Sequence, residues 1–72
     1  MHLTVNGKPR DMDDGDGGAV PLLALLDAFE VNPKLVAVAI NGDVIAKSAF
    51  GDQIVRDGDA IEIVRMVGGG AA

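Results

Sequence analysis

The sequence predicts an α+β fold: a mixed four- to five-stranded sheet with one helix packed on one face. Three observations predict it. Two Asn-Gly pairs, Asn6-Gly7 and Asn41-Gly42, each sit between short strand-like runs, as two-residue hairpin turns do. Between them lies a leucine-rich stretch with helical spacing. The last apolar stretch, residues 60–67, is rich in Ile and Val and contains no breaker.

Each element follows from local chemistry. His2-Leu3-Thr4-Val5 alternates apolar and polar, and residues 8–12 form the returning strand. Pro9 stands early in that strand, which suits an edge because no ladder donor is needed there. Asp13-Asp14-Gly15-Asp16-Gly17-Gly18 is a polar, glycine-rich loop. Pro21 then opens the helix in its first turn, where a missing N–H does no harm. Leu22, Leu25, Leu26 and Phe29 make one apolar stripe, broadened by Leu23, and Asn32-Pro33 stops the helix. Gly18 and Ala19 offer no capping oxygen, so the helix depends on tertiary packing.

The second half continues in the same way. Residues 35–40 are apolar at every position, as in a strand covered on both faces. Residues 43–46 form its short hairpin partner. Residues 47–56 are irregular, with Ile54 as the inward anchor, and Asp57-Gly58-Asp59 turns the chain into the last strand. The first and last strands then lie parallel at the sheet centre, which is the β-grasp layout. Residues 1–67 form this domain, and residues 68–72 form a flexible tail.

The composition removes many functions. At 72 residues the chain makes one domain, near the size at which only about 60% of the unfolded surface is buried. With Phe29 and Phe50 its only aromatics, the core is aliphatic. The absence of cysteine removes disulfides, thiolate metal sites and thiol nucleophiles together. A formal net charge of −5 repels a phosphate backbone and favours a basic protein partner over nucleic acid. No basic-apolar leader opens the chain, and no apolar run reaches about 18 residues, so a cytoplasmic protein without membrane contact is expected.

Side-chain chemistry is sparse. The acidic run from Asp11 to Asp16 invites a calcium reading, but an EF-hand frame needs glycine sixth and glutamate twelfth. Counted from Asp11, Gly15 is fifth and Leu22 twelfth, so a solvated loop is the better account. His2 has no second histidine or cysteine with which to share a metal, and Ser48 has no His-Asp pair flanking it. No bound cofactor or resident metal is expected.

What remains is Gly68-Gly69-Gly70, followed by Ala71-Ala72. Terminal glycines are often simply frayed. Leaving a core strand, however, a stretch without side chains can thread a narrow channel and bring a backbone carboxyl to a nucleotide. In the last strand Ile61, Ile63, Arg65 and Val67 share one face, which packs on the helix. Val64 and Met66 lie on the other, as part of an exposed patch for docking a partner enzyme.

The chain resembles the ThiS family of thiamine-pathway sulfur carriers, ubiquitin-like β-grasp proteins related to the molybdopterin-pathway carriers (MoaD). The resemblance runs over nearly the whole chain. It rests on Val5-Asn6-Gly7-Lys8, the leucine-rich helix from Val20, Val38-Ala39-Ile40-Asn41-Gly42, Asp57-Gly58-Asp59, and Glu62-Ile63-Val64-Arg65-Met66-Val67-Gly68-Gly69-Gly70. The Val-Gly-Gly-Gly ending looks more like the thiamine branch.

The resemblance implies a protein co-substrate rather than an enzyme. An E1-like adenylating enzyme, using ATP and magnesium, would activate the carboxylate of Gly70, with Gly68 and Gly69 entering the partner's active site. A persulfide from a cysteine desulfurase or another donor would then leave a thiocarboxylate, which thiazole synthase would consume. The chain departs from the family pattern in continuing through Ala71-Ala72, which implies trimming by a protease before use. Two other functions fit the same residues: a carrier for molybdopterin or another thiolated product, and a ubiquitin-like binding module whose tail is never activated.

Overall fold

A computed structural model of the chain describes residues 1–12 and 17–66. Among these residues seven strands and one α-helix follow in order: β1 His2–Val5, β2 Lys8–Asp11, β3 Ala19–Pro21, α1 Leu22–Ala28, β4 Val36–Ile40, β5 Asp43–Ile45, β6 Ile54–Arg56 and β7 Ala60–Arg65. Five strands make one sheet in the order β2-β1-β7-β4-β5, and β3 pairs with β6 in a separate two-stranded sheet. β7 occupies the middle, parallel to β1 and antiparallel to β4. This is the mixed-sheet β-grasp arrangement expected from the sequence.

Both Asn-Gly turns form as anticipated. Asn6 and Gly7 have φ of 52° and 80°, and Asn41 and Gly42 have 53° and 87°. Positive φ at both central residues matches the right-handed twist of the strands they join. Each asparagine also reaches β7: Ile63 N–H donates to Asn6 Oδ1 at 2.8 Å, and Ala60 N–H donates to Asn41 Oδ1 at 3.0 Å. Asp59 then ties the last turn together, accepting from Arg56 N at 2.8 Å and from Asn41 Nδ2 at 3.0 Å.

The core lies between the five-stranded sheet and α1. Leu22, Leu25 and Leu26 are fully buried against Leu3, Val5, Val36, Val38 and Ile61. Leu23 is 42% exposed, so it does not broaden the stripe; one residue on from Leu22, it turns about 100° away from the buried face. Pro21 is the last residue of β3 and the N-cap of the helix, with ψ of 143°, rather than a first-turn residue. No side chain caps this end. Leu22 N–H instead donates to the Gln53 carbonyl at 2.9 Å, so the strand pair β3–β6 supplies a partner that the local sequence lacks.

Three further expectations are corrected. Residues 35–40 are not covered on both faces: Val36, Val38 and Ile40 are buried, Ala37 and Ala39 are half-buried, and Leu35 is 53% exposed. The helix covers only one side, and two alanines are small enough to leave the other open without a large apolar cost. Residues 47–56 are not irregular throughout, because a 3₁₀ helix spans Lys47–Asp52 and β6 follows it. Phe50 and Val55 point inward there, while Ile54 is 39% exposed. The α-helix ends before Asn32-Pro33, at Ala28; Glu30 has a φ of 58°, and Val31 N–H closes on the Leu26 carbonyl. Asn32-Pro33 opens a short 3₁₀ turn instead, Asn32 Oδ1 accepting from Lys34 N at 2.9 Å.

Candidate functional site

The site is built around the exit of β7. Arg65 is its last residue and pairs with Val36; beyond it Met66 N–H donates to the Leu35 carbonyl at 2.8 Å. The central strand therefore stays pinned to β4 until one residue short of position 67. The faces divide as the alternation requires. Ile61 is buried and Ile63 half-buried on the helix side, whereas Val64 is 61% exposed on the open side and Met66, just past the strand, is 56% exposed. Gly68, Gly69 and Gly70, with Val67 and the two alanines, lie outside the described residues.

Val64 has apolar neighbours that the sequence reading missed. Register places Val64 beside Ala37, and Glu62 beside Ala39, which in turn faces Val44 on β5. These residues line a shallow depression of about 190 Å³ on the uncovered face of the sheet. Val44 is 79% exposed, and Leu35 and Met66 extend the apolar surface toward the strand exit. The signal for Ala37 and Ala39 was available in their period-2 spacing; the signal for Val44 needed the hairpin register. A contiguous exposed apolar surface of this kind is the usual mark of a protein contact.

The other sequence candidates do not assemble into a site. His2 Nδ1 lies 3.0 Å from Asp11 Oδ1, with both side chains well exposed. Among the described residues, no three His, Cys, Asp or Glu side chains converge as metal ligands. Asp13, Asp14, Gly15 and Asp16 lie outside the described residues. No helix among the described residues is long and apolar enough to cross a membrane.

Comparison with known proteins decides the family. The ThiS family model matches residues 3–70. The chain belongs to the ThiS family. It is 35% identical over 68 residues to the sulfur carrier protein ThiS of Bacillus subtilis, a match covering 94% of this chain and 98% of that one. The crystal structure of a thiamine biosynthesis protein (ThiS) from Geobacter metallireducens superposes with a TM-score of 0.82 at 41% identity, covering 97% of this chain and 100% of that chain. A thiazole synthase of Paramagnetospirillum magneticum is 35% identical over 71 residues; the match takes in 99% of this chain and 21% of that protein. This chain thus spans about a fifth of that relative's length. The ThiS family match stops at residue 70, so Ala71 and Ala72 fall beyond it.

Proposed function

We propose that this chain is a sulfur carrier of thiamine biosynthesis and that Gly70 holds the sulfur as a C-terminal thiocarboxylate. One observation carries the reading: the middle strand of a ThiS-family fold leads, after Met66 and Val67, into Gly68-Gly69-Gly70. Residues 1–67 are the domain and residues 68–72 the tail, of which Gly68 and Gly69 enter partner active sites and bring Gly70 to the reacting centre. Glycine serves there because a Cβ would meet the walls of a narrow channel.

The chemistry is done by others. An E1-like adenylating enzyme, with ATP and magnesium, joins the Gly70 carboxylate to AMP as a mixed anhydride and releases pyrophosphate. The outer sulfur of a persulfide on a cysteine desulfurase or another donor displaces AMP to form an acyl disulfide. A second thiol of the donor side then cleaves the S–S bond, leaving the thiocarboxylate on Gly70 and a disulfide behind. Thiazole synthase then takes the sulfur. Its place as the acceptor is supported by the relative of that name, which carries a segment similar to this whole chain within its own polypeptide. Linking a carrier to its consumer raises the effective concentration of one for the other. The carrier contributes no acid, base or metal, and its compartment is the cytoplasm, where ATP and persulfide donors are at hand.

In this chain the Gly70 carbonyl is held in a peptide bond to Ala71, and an amide cannot be adenylated as a carboxylate can. A protease therefore removes Ala71-Ala72 before activation; the end of the family match at residue 70 supports that boundary. Intact mass spectrometry of the protein from thiamine-producing cells tests the reading. Loss of both alanines and a fraction carrying sulfur in place of one oxygen are expected. A mass that always matches the full chain, even with adenylating enzyme and ATP supplied, overturns it. In protein ending at residue 70, Gly70→Ala should leave folding unchanged and reduce sulfur loading.

A further inference from the structure

A second surface lies at the β7 exit, on the opposite side of the sheet from Val64. There an open groove of about 350 Å³ runs between the β1–β2 hairpin and the segment that follows α1. Its floor is apolar, made by Val36 and Ile63, and its wall is formed by the half-buried Phe29 and Val31. Its rim is cationic. Arg10 pairs with Leu3 and Lys8 with Val5, so both cations project from the face that buries those residues. Arg65, opposite the buried Val36, completes the rim from β7.

The charge distribution is uneven. Three of the chain's six Lys and Arg residues meet here, although the formal net charge is −5, and among the described residues no acidic side chain lines the groove. Among the described residues none of the three cations takes part in an ion pair. Arg10 is held with its guanidinium 5.5 Å from the centre of the Phe29 ring, a cation–π contact that keeps its donors on the rim. An apolar slot ringed by unpaired cations complements an aliphatic side chain flanked by carboxylates. It suits nucleic acid poorly, because the acidic remainder of the surface repels a polyphosphate and the floor offers it nothing.

We propose that this groove docks an acidic segment of a partner protein, one aliphatic side chain seated on Ile63 and Val36 and carboxylates bound by Lys8, Arg10 and Arg65. Such charge pairing sets orientation and encounter rate as well as affinity. The proposal concerns binding alone and does not rest on the chemistry of Gly70.

The test is an NMR titration of the isotope-labelled full chain with a short synthetic peptide carrying an Ile-Val centre flanked by aspartates. Shifts are expected at Lys8, Arg10, Val31, Ile63 and Arg65, and binding is expected to weaken several-fold between about 0.05 and about 0.3 M salt. Lys8→Glu together with Arg65→Glu should raise the dissociation constant about tenfold or more. That pair leaves the Arg10–Phe29 contact untouched, and its amide spectrum reports directly whether the fold is kept. Replacing the peptide's aspartates by asparagines should have a similar effect. Four results overturn the proposal: no shifts at millimolar peptide, shifts centred on Val44 and Val64, equal binding of a single-stranded DNA oligomer, or self-association through the groove that excludes the peptide. Sulfur loading is not read out, so this result and the carrier result fail separately.

Discussion

At each hairpin turn one asparagine supplies both a left-handed backbone and an acceptor for the last strand. Asn6 and Asn41 thereby satisfy the N–H groups of Ile63 and Ala60, on opposite sides of β7. Asn6→Gly keeps the backbone conformation and removes only the acceptor. It should cost about 0.5–1.5 kcal/mol in chemical denaturation, the ordinary net value of one hydrogen bond. The neighbouring glycines separate strain from contact. A Cβ at Gly42 would meet nothing within 4 Å, yet φ there is 87°. Gly42→Ala should therefore destabilise by about 1–2 kcal/mol through backbone strain alone. Gly51 has the same open space without a positive φ, and Gly51→Ala should be neutral or stabilising by up to about 1 kcal/mol. If both alanines behave alike in thermal melts, strain is not the cause.

Among the elements, the helix shows what spacing can and cannot tell. The i, i+3, i+4 pattern located Leu22, Leu25 and Leu26, all with 0% exposure. Leu25→Ala should cost about 2–5 kcal/mol, a large share of the 5–15 kcal/mol typical of a whole domain. Leu23→Ala, at a position 42% exposed, should cost well under half as much in the same denaturation series. The strands β3 and β6 were not legible. Each has three residues, too few to display a period of two, and the φ of proline suits a strand end as well as a first helical turn. The same shortness hid Val55, which is fully buried, behind its more exposed neighbour Ile54. The long apolar run at residues 35–40 misled in a different way, because alanine counts as apolar in a pattern yet asks for little cover.

For the whole molecule, the fold was legible because the two Asn-Gly turns and the breaker-free final strand leave few topologies open. Of the two proposed docking surfaces, the exposed Val64 and Met66 could be placed by alternation, while Val44 on the same face and the groove cations on the other could not. Lys8 and Arg65 are far apart in sequence, and only the pairing of β1 with β7 brings their strands together. Met66→Asp tests the open-face patch. Because Met66 is 56% exposed, stability should stay within about 0.5 kcal/mol of the parent. Complex formation with an adenylating enzyme, followed by calorimetry, should weaken by about tenfold or more. Pronounced unfolding of this variant would mean that the faces of β7 have been assigned the wrong way round.

The central position of β7 also decides how the molecule resists being pulled. A load applied at Met66 passes into a strand paired with β4 from Ile61 to Arg65 and with β1 at Ala60 and Ile61. With β1 running parallel to it, tension between the two ends of the domain loads the bonds from Thr4 and Asn6 to this strand side by side instead of opening them one after another. Resistance to such forced opening is set by the unfolding rate and not by the equilibrium. A machine that hauls on this end must therefore break those shared bonds together before the strand comes free, whereas one that merely clips residues beyond it need break none of them.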